Sequence, residues 1–197
     1  MKYNLILLFV VCTSFTVKAQ NKYQLVDNFD DNRNGWTESV AKKSKAVIQE
    51  GVLLVESKNK EEYAFSLANL GVSLKENFEL SCECNVKEIT EEGAFGLIFN
   101  EQDEKNFCAV IVKKGTASLY EWRNGTPNLI SSEKIKLSDK KEQTIQLSIK
   151  NEFGTLSFYV NGMQAISNVT GRINFSGFGF LAVGKQTAKF DNLKVLQ

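Results

Sequence analysis

Apolar and polar residues alternate with a period of two along most of this 197-residue chain, and no stretch of useful length carries apolar residues at helical spacing. The pattern predicts an all-β fold. Phe78, Leu80, Cys82, Cys84 and Val86 would line one face of a strand whose other face is Glu79, Ser81, Glu83, Asn85 and Lys87. Residues 144–150 repeat the device, with Ile145, Leu147 and Ile149 inward, and Leu156, Phe158 and Val160 follow across a turn at Glu152-Phe153-Gly154. Asn161-Gly162 is the pair that a tight hairpin favours. Segments 93–100 and 107–113 are more uniformly apolar, as strands covered on both faces or lining a groove would be. Asn124-Gly125 and Gly171 mark further turns, Pro127 is the single proline, and no repeat or long linker interrupts the pattern. The expectation is one domain of about a dozen strands.

Residues 1–19 read as a secretory signal peptide: Lys2 gives the positive start, residues 5–12 an apolar run, and Val17-Lys18-Ala19 the cleavage positions. That run is far shorter than the ~20 residues a membrane-spanning helix needs. A secreted or periplasmic chain over 20–197, with no membrane insertion, is therefore expected. Val11 before Cys12 argues against a lipoprotein site, where a small residue is wanted. Without Lys2 and Lys18 the mature chain has 22 basic against 23 acidic residues. The lysines are interleaved with glutamates, which argues against a nucleic-acid groove or an anionic-membrane patch; Lys42-Lys43-Ser44-Lys45 reads as a solvated loop. Cys82 and Cys84 should sit in the core as small hydrophobes, a bridge to Cys108 being the alternative.

Asp27-Asn28-Phe29-Asp30 at one end and the segment 190–195 at the other read as the first and last strands of one closed sandwich. With Gly35-Trp36, Phe78-Glu79-Leu80, the run 93–99 and the run 156–162, they appear in an order that resembles the concanavalin A-like, laminin-G-like sandwiches of secreted bacterial proteins. The pattern is similar in particular to the 3-keto-disaccharide hydrolase type domain. The resemblance implies a single-domain antiparallel β-sandwich of jelly-roll type. It leaves function open, because lectins, glycosidases and adhesion modules share that fold.

Catalytic motifs are scarce. The Glu-x-Asp-x-x-Glu strand of the superfamily's glucanases is missing, and Glu79 and Glu83 would lie about 13 Å apart on an extended strand, too far for the paired carboxyl groups of a glycosidase. Glu91-Glu92 and Glu101, Asp103 and Glu104 fall in expected turns. The chain has no histidine, and neither Ser-x-x-Lys nor Gly-x-Ser-x-Gly occurs after the signal. Binding asks for less: aromatic faces flanked by planar polar groups. Tyr120, Trp122 and Arg123 offer these at a strand end, Tyr120 and Trp122 on one face and Glu121 and Arg123 on the other, with packing between the sheets as the competing reading for the two aromatic rings. Trp36 is a further candidate, although a plug over the core is the competing reading. Asn100, Gln102 and Asn106 would share the rim, and Ala94 and Gly96 would leave a groove open or admit close packing.

Asp27, Asp30, Asp31 and Asp191 raise a structural Ca²⁺ where the first and last strands meet, with Asp30 and Asp191 as its leading ligands. The expected function is a secreted, non-catalytic carbohydrate-binding module with a glycan or envelope component as partner. The alternatives are a hydrolase of glycosides or 3-keto-disaccharides and a structural or adhesive envelope protein.

Overall fold

Period-two patterning places alternate side chains on opposite faces, so each such segment can bury one face only by pairing into a layered sheet. A computed structural model describes residues 23–72, 76–138, 140–169 and 177–197. The signal segment 1–19 and Gly171 lie outside the described residues. The strands are β1 (Tyr23–Asp27), β2 (Ser39–Val40), β3 (Ser44–Gln49), β4 (Val52–Ala68), β5 (Phe78–Val86), β6 (Ala94–Asp103) and β7 (Asn106–Lys113). They continue as β8 (Thr116–Arg123), β9 (Thr126–Lys134), β10 (Gln143–Glu152), β11 (Thr155–Val160), β12 (Met163–Val169) and β13 (Gly177–Leu196). Every pairing is antiparallel, in the order β12-β11-β10-β5-β13-β6-β7-β8-β9, with β4 on β13, β3 on β4 and β1 on β13.

β13 belongs to both layers of the sandwich. Its first half pairs with β6 and its last residues with β5, while β4 follows it along most of its length. The register breaks between Val183 and Lys185, at Gly184. Gly184 has φ +69, and a Cβ there would lie 1.8 Å from the Glu92 carbonyl oxygen, so no other residue fits this corner.

The inward faces of the two layers form the main core, which includes Phe95, Phe99, Phe158, Phe180 and Phe190, each at most 1% exposed. Burying one such ring contributes on the order of 2–3 kcal/mol. Cys82 and Cys84 face Leu147 and Ile145 across the β5–β10 pairing, as the alternation predicted. All three described cysteines are buried and free, so the alternative bridge to Cys108 does not form. Burial pushes the thiols of Cys82 and Cys84 well up, which leaves them protonated and inert.

β1 pairs with the end of β13, Asp27 opposite Leu193, closing the sandwich as the terminal motifs suggested. Asp27 then organises the corner. Its Oδ1 accepts the Phe29 N–H at 2.8 Å, where Phe29 is left-handed (φ 54). Its Oδ2 accepts Asn34 Nδ2 at 2.6 Å and Trp36 Nε1 at 2.8 Å. Trp36 is 2% exposed and packs on Phe29 and Phe180, with centroids 5.6 and 5.1 Å away. Trp36 is thus the plug rather than a ligand-binding surface: its ring is enclosed and its one donor is engaged.

The same hydrogen bonds bear on calcium. Asp27 already receives three N–H donors, Asp31 is held by Arg33 in an ion pair of 2.7 Å, and Asp191 Oδ1 accepts the Asn192 N–H. Among the described residues no three acidic, Cys or His side chains are grouped to hold a metal ion.

Candidate functional site

Two hairpin ends are bolted together at one end of the sandwich. β6 loses its register between Phe99 and Asp103, where Asn100 is left-handed (φ 52), and the strand then turns into β7. Asp103 closes that turn by accepting the Lys105 N–H at 2.7 Å and Asn106 Nδ2 at 2.9 Å. These bonds hold the Asp103 carboxyl below the usual range. The β8–β9 turn, Asn124-Gly125, has both residues left-handed, as a tight hairpin requires. It docks on the first hairpin through Gly125 N–H to the Lys105 carbonyl (2.9 Å) and Asn124 N–H to Asn106 Oδ1 (3.0 Å).

Between these ends lies a cleft of about 340 Å³ lined by Asn100, Gln102, Asn106, Phe107, Cys108, Glu121, Trp122, Arg123 and Asn124. The β7–β8 register sets its walls: Phe107 opposite Trp122, and Cys108 opposite Glu121. The Phe107 and Trp122 rings stack at 4.7 Å and 15°, on the sheet face away from the main core. Glu121 and Arg123 project to the other face, past Leu119 where the core ends, and pair at 3.0 Å. The Glu121 side chain is 15% exposed and that of Arg123 68%, so the guanidinium stands in solvent over a sheltered carboxylate. Asn100 donates from Nδ2 to Cys108 Sγ at 3.9 Å, at the floor.

Asn100, Trp122 and Arg123, read from the sequence as candidates, thus share one cleft, with Gln102 and Asn106 on its rim. Tyr120 is not among its lining residues; it lies half-buried beside Trp122, centroids 5.6 Å apart. Glu121 and Asn124 belong to the same sequence segment as Trp122 and Arg123, whereas Phe107 was not foreseen at this site. The signal was present in the β7–β8 turn: reading Lys114-Gly115 as a two-residue hairpin pairs Lys113 with Thr116 and so brings Phe107 to Trp122.

The outer face of this sheet is not an open groove. Tyr63, Phe65, Phe107, Tyr120 and Trp122 form an aromatic layer over Ala94, Ala109 and Leu181. A Cβ at Gly96 would sit 1.9 Å from the Val110 carbonyl oxygen, so close strand packing accounts for that glycine. Near the same hairpin, burial and the neighbouring Asp103 and Glu104 push the Glu101 carboxyl up, and burial and Glu104 do the same to the Tyr63 hydroxyl.

Chemically, the cleft offers amide, guanidinium and carboxylate groups that hydrogen-bond in plane, with Phe107 and Trp122 among its lining residues. Among its lining residues Glu121 is the one carboxylate, whereas glycoside hydrolysis calls for two. The indole N–H of Trp122, unlike that of Trp36, has no partner among the described residues.

No protein-family model matches the sequence, and no curated protein matches it significantly. Solved structures do. A carbohydrate binding module, CBM66 from Bacillus subtilis, superposes with a TM-score of 0.60 at 20% identity, over 83% of this chain and 96% of that one. A Bacillus subtilis protein with a galectin-like fold gives 0.63 at 12% identity, over 90% and 98%. A xylan β-1,4-xylosidase from Bacillus halodurans gives 0.62 at 13%, over 90% of this chain but 40% of the enzyme. At these identities the likeness is one of fold, and with the antiparallel two-layer topology it identifies the chain as a concanavalin A-like, jelly-roll β-sandwich.

Proposed function

We propose that this chain is an exported carbohydrate-binding module whose glycan site is the rim cleft around Trp122 and Arg123. The observation that carries the reading is convergence: Asn100, Gln102, Asn106, Glu121 and Arg123 place planar polar groups in one cleft of about 340 Å³ that Trp122 also lines. A pyranose ring presents hydroxyl pairs that match such groups, and its C–H face packs on aromatic surface. The likeness to a carbohydrate binding module over nearly all of both chains supports the same reading. Export is supported by the pattern of residues 1–19. Among the described residues no helix is long and apolar enough to cross a membrane.

A glycan-array screen run beside a reducing-sugar release assay tests the binding reading. Glycan retention without hydrolysis is expected, with retention weakened in Arg123→Ala. Sugar release with a defined pH optimum would establish the hydrolase instead, and no glycan signal would leave an adhesive envelope role. N-terminal sequencing of the protein from a periplasmic or culture fraction tests export, with a new terminus near Gln20 expected.

A further inference from the structure

At the opposite ends of β7 and β8 a second cleft, of about 450 Å³, opens between the β7–β8 turn and the β9–β10 connection. Lys114, Lys136, Lys140 and Lys141 line it, with Glu88 as the one carboxylate among the described lining residues. Lys114 pairs with Glu91 at 2.8 Å, but Lys136, Lys140 and Lys141 form no ion pair among the described residues. The connection is anchored by Ile135 N–H to the Gly115 carbonyl at 3.1 Å and by Gln143 Nε2 to the Ser138 and Lys140 carbonyls at 3.3 and 3.4 Å. Ile89, Ile135 and Leu137, partly buried against the main core, supply an apolar floor. An adjoining cleft of about 400 Å³ shares Glu88 and adds Lys87, Lys185 and Lys189, along with Glu142. Lys185 there is paired with Glu92 at 3.1 Å.

We propose that these two clefts form a second binding site, separate from the rim cleft, for an acidic saccharide carrying sulfate or carboxylate groups. Cations gathered in a concave, partly apolar wall attract anions more strongly than the same charges spread over a convex surface. The apolar floor suits the C–H faces of sugar rings. Among the described residues neither cleft is lined by an aromatic ring on which nucleobases would stack, which separates this site from a single-strand nucleic-acid groove.

The test titrates the purified protein by calorimetry at low salt with an oligogalacturonate, a sulfated dextran oligosaccharide, neutral dextran, inorganic sulfate and an oligonucleotide of matched charge. At least one acidic oligosaccharide is expected to bind, with affinity falling as salt rises. The uronate and sulfate arms show which anion is preferred. The triple variant Lys136→Gln, Lys140→Gln, Lys141→Gln should lose about tenfold in that affinity, since each exposed charge contact is worth up to a few-fold. Its melting temperature should not change, and Arg123→Ala should leave acidic-saccharide binding intact. Wild-type affinity in the triple variant, or equally tight binding of inorganic sulfate or the oligonucleotide, would overturn the proposal. Failure of neutral glycans at the rim cleft would leave this result untouched, so the two readings stand or fall separately.

Discussion

The two tryptophans are almost equally buried, Trp36 at 2% and Trp122 at 4%, yet the molecule uses them differently. Trp36 lies between the sheets, enclosed by Phe29 and Phe180, and its N–H is satisfied by Asp27. Trp122 lies on the outer face of one sheet, stacked on Phe107, is one of the residues lining the rim cleft, and has its N–H without a partner among the described residues. Exposure alone does not separate the two. What separates them is whether the polar atom has been completed by the protein itself.

Substitutions can break that comparison. Trp36→Ala should have the largest effect, about 3–5 kcal/mol of stability, because it opens a cavity between two packed layers and strips a donor from Asp27. Chemical denaturation measures it, and a change under 1 kcal/mol would remove the plug. Trp122→Ala should cost less, about 2–4 kcal/mol, because its cluster is one side chain thick, and it should also abolish glycan retention. Trp122→Phe sharpens the point: most of the stacking survives, so a melting temperature near wild type with weakened glycan binding is expected from loss of the N–H alone. Equal losses for stability and binding would return Trp122 to the core.

Arg123→Ala should change stability by less than about 0.5 kcal/mol, since an exposed ion pair contributes little, while lowering glycan affinity about tenfold. Smallest is Glu101→Gln. The folded protein holds the Glu101 carboxyl above its ordinary value, so the folded state favours the protonated form. Stability associated with this group is therefore present below its unfolded pKa and declines as pH rises through the folded one. Glu101→Gln should raise the melting temperature slightly at neutral pH and leave it unchanged in acid; the reverse order would contradict the shift.

Local pattern made much of the architecture legible. The alternation in 78–86 and 144–150 and the turns at Glu152-Phe153-Gly154 and Asn161-Gly162 stand in the structure where the residues placed them, and the first strand does close on the last, but at Tyr23–Asp27, so that only Asp27 of the motif Asp27-Asn28-Phe29-Asp30 belongs to it. Each is a local or period-two property, and the backbone geometry of a strand translates it directly into faces. The site was only partly legible. Tyr120 and Trp122 were rightly put on one face and Glu121 and Arg123 on the other, but the register break at Asn100 and the docking of one hairpin on another decided which of them share a cleft.

The lysines show the same division most clearly. In the sequence they are interleaved with acidic residues and gather into no patch; Lys114, Lys136, Lys140 and Lys141 come from two separate connections and meet only because β7–β8 and β9–β10 turn at the same end of the sandwich. The sequence by itself determined the strands, their inward faces and the sandwich, because those follow from the alternation of side chains along an extended backbone. Tertiary structure alone decided that Trp36 is enclosed, that Asp27 is engaged by N–H donors, and that clefts form at opposite ends. Clefts and hydrogen-bond completion depend on which distant strands pair and in what register, and no short-range pattern encodes that choice.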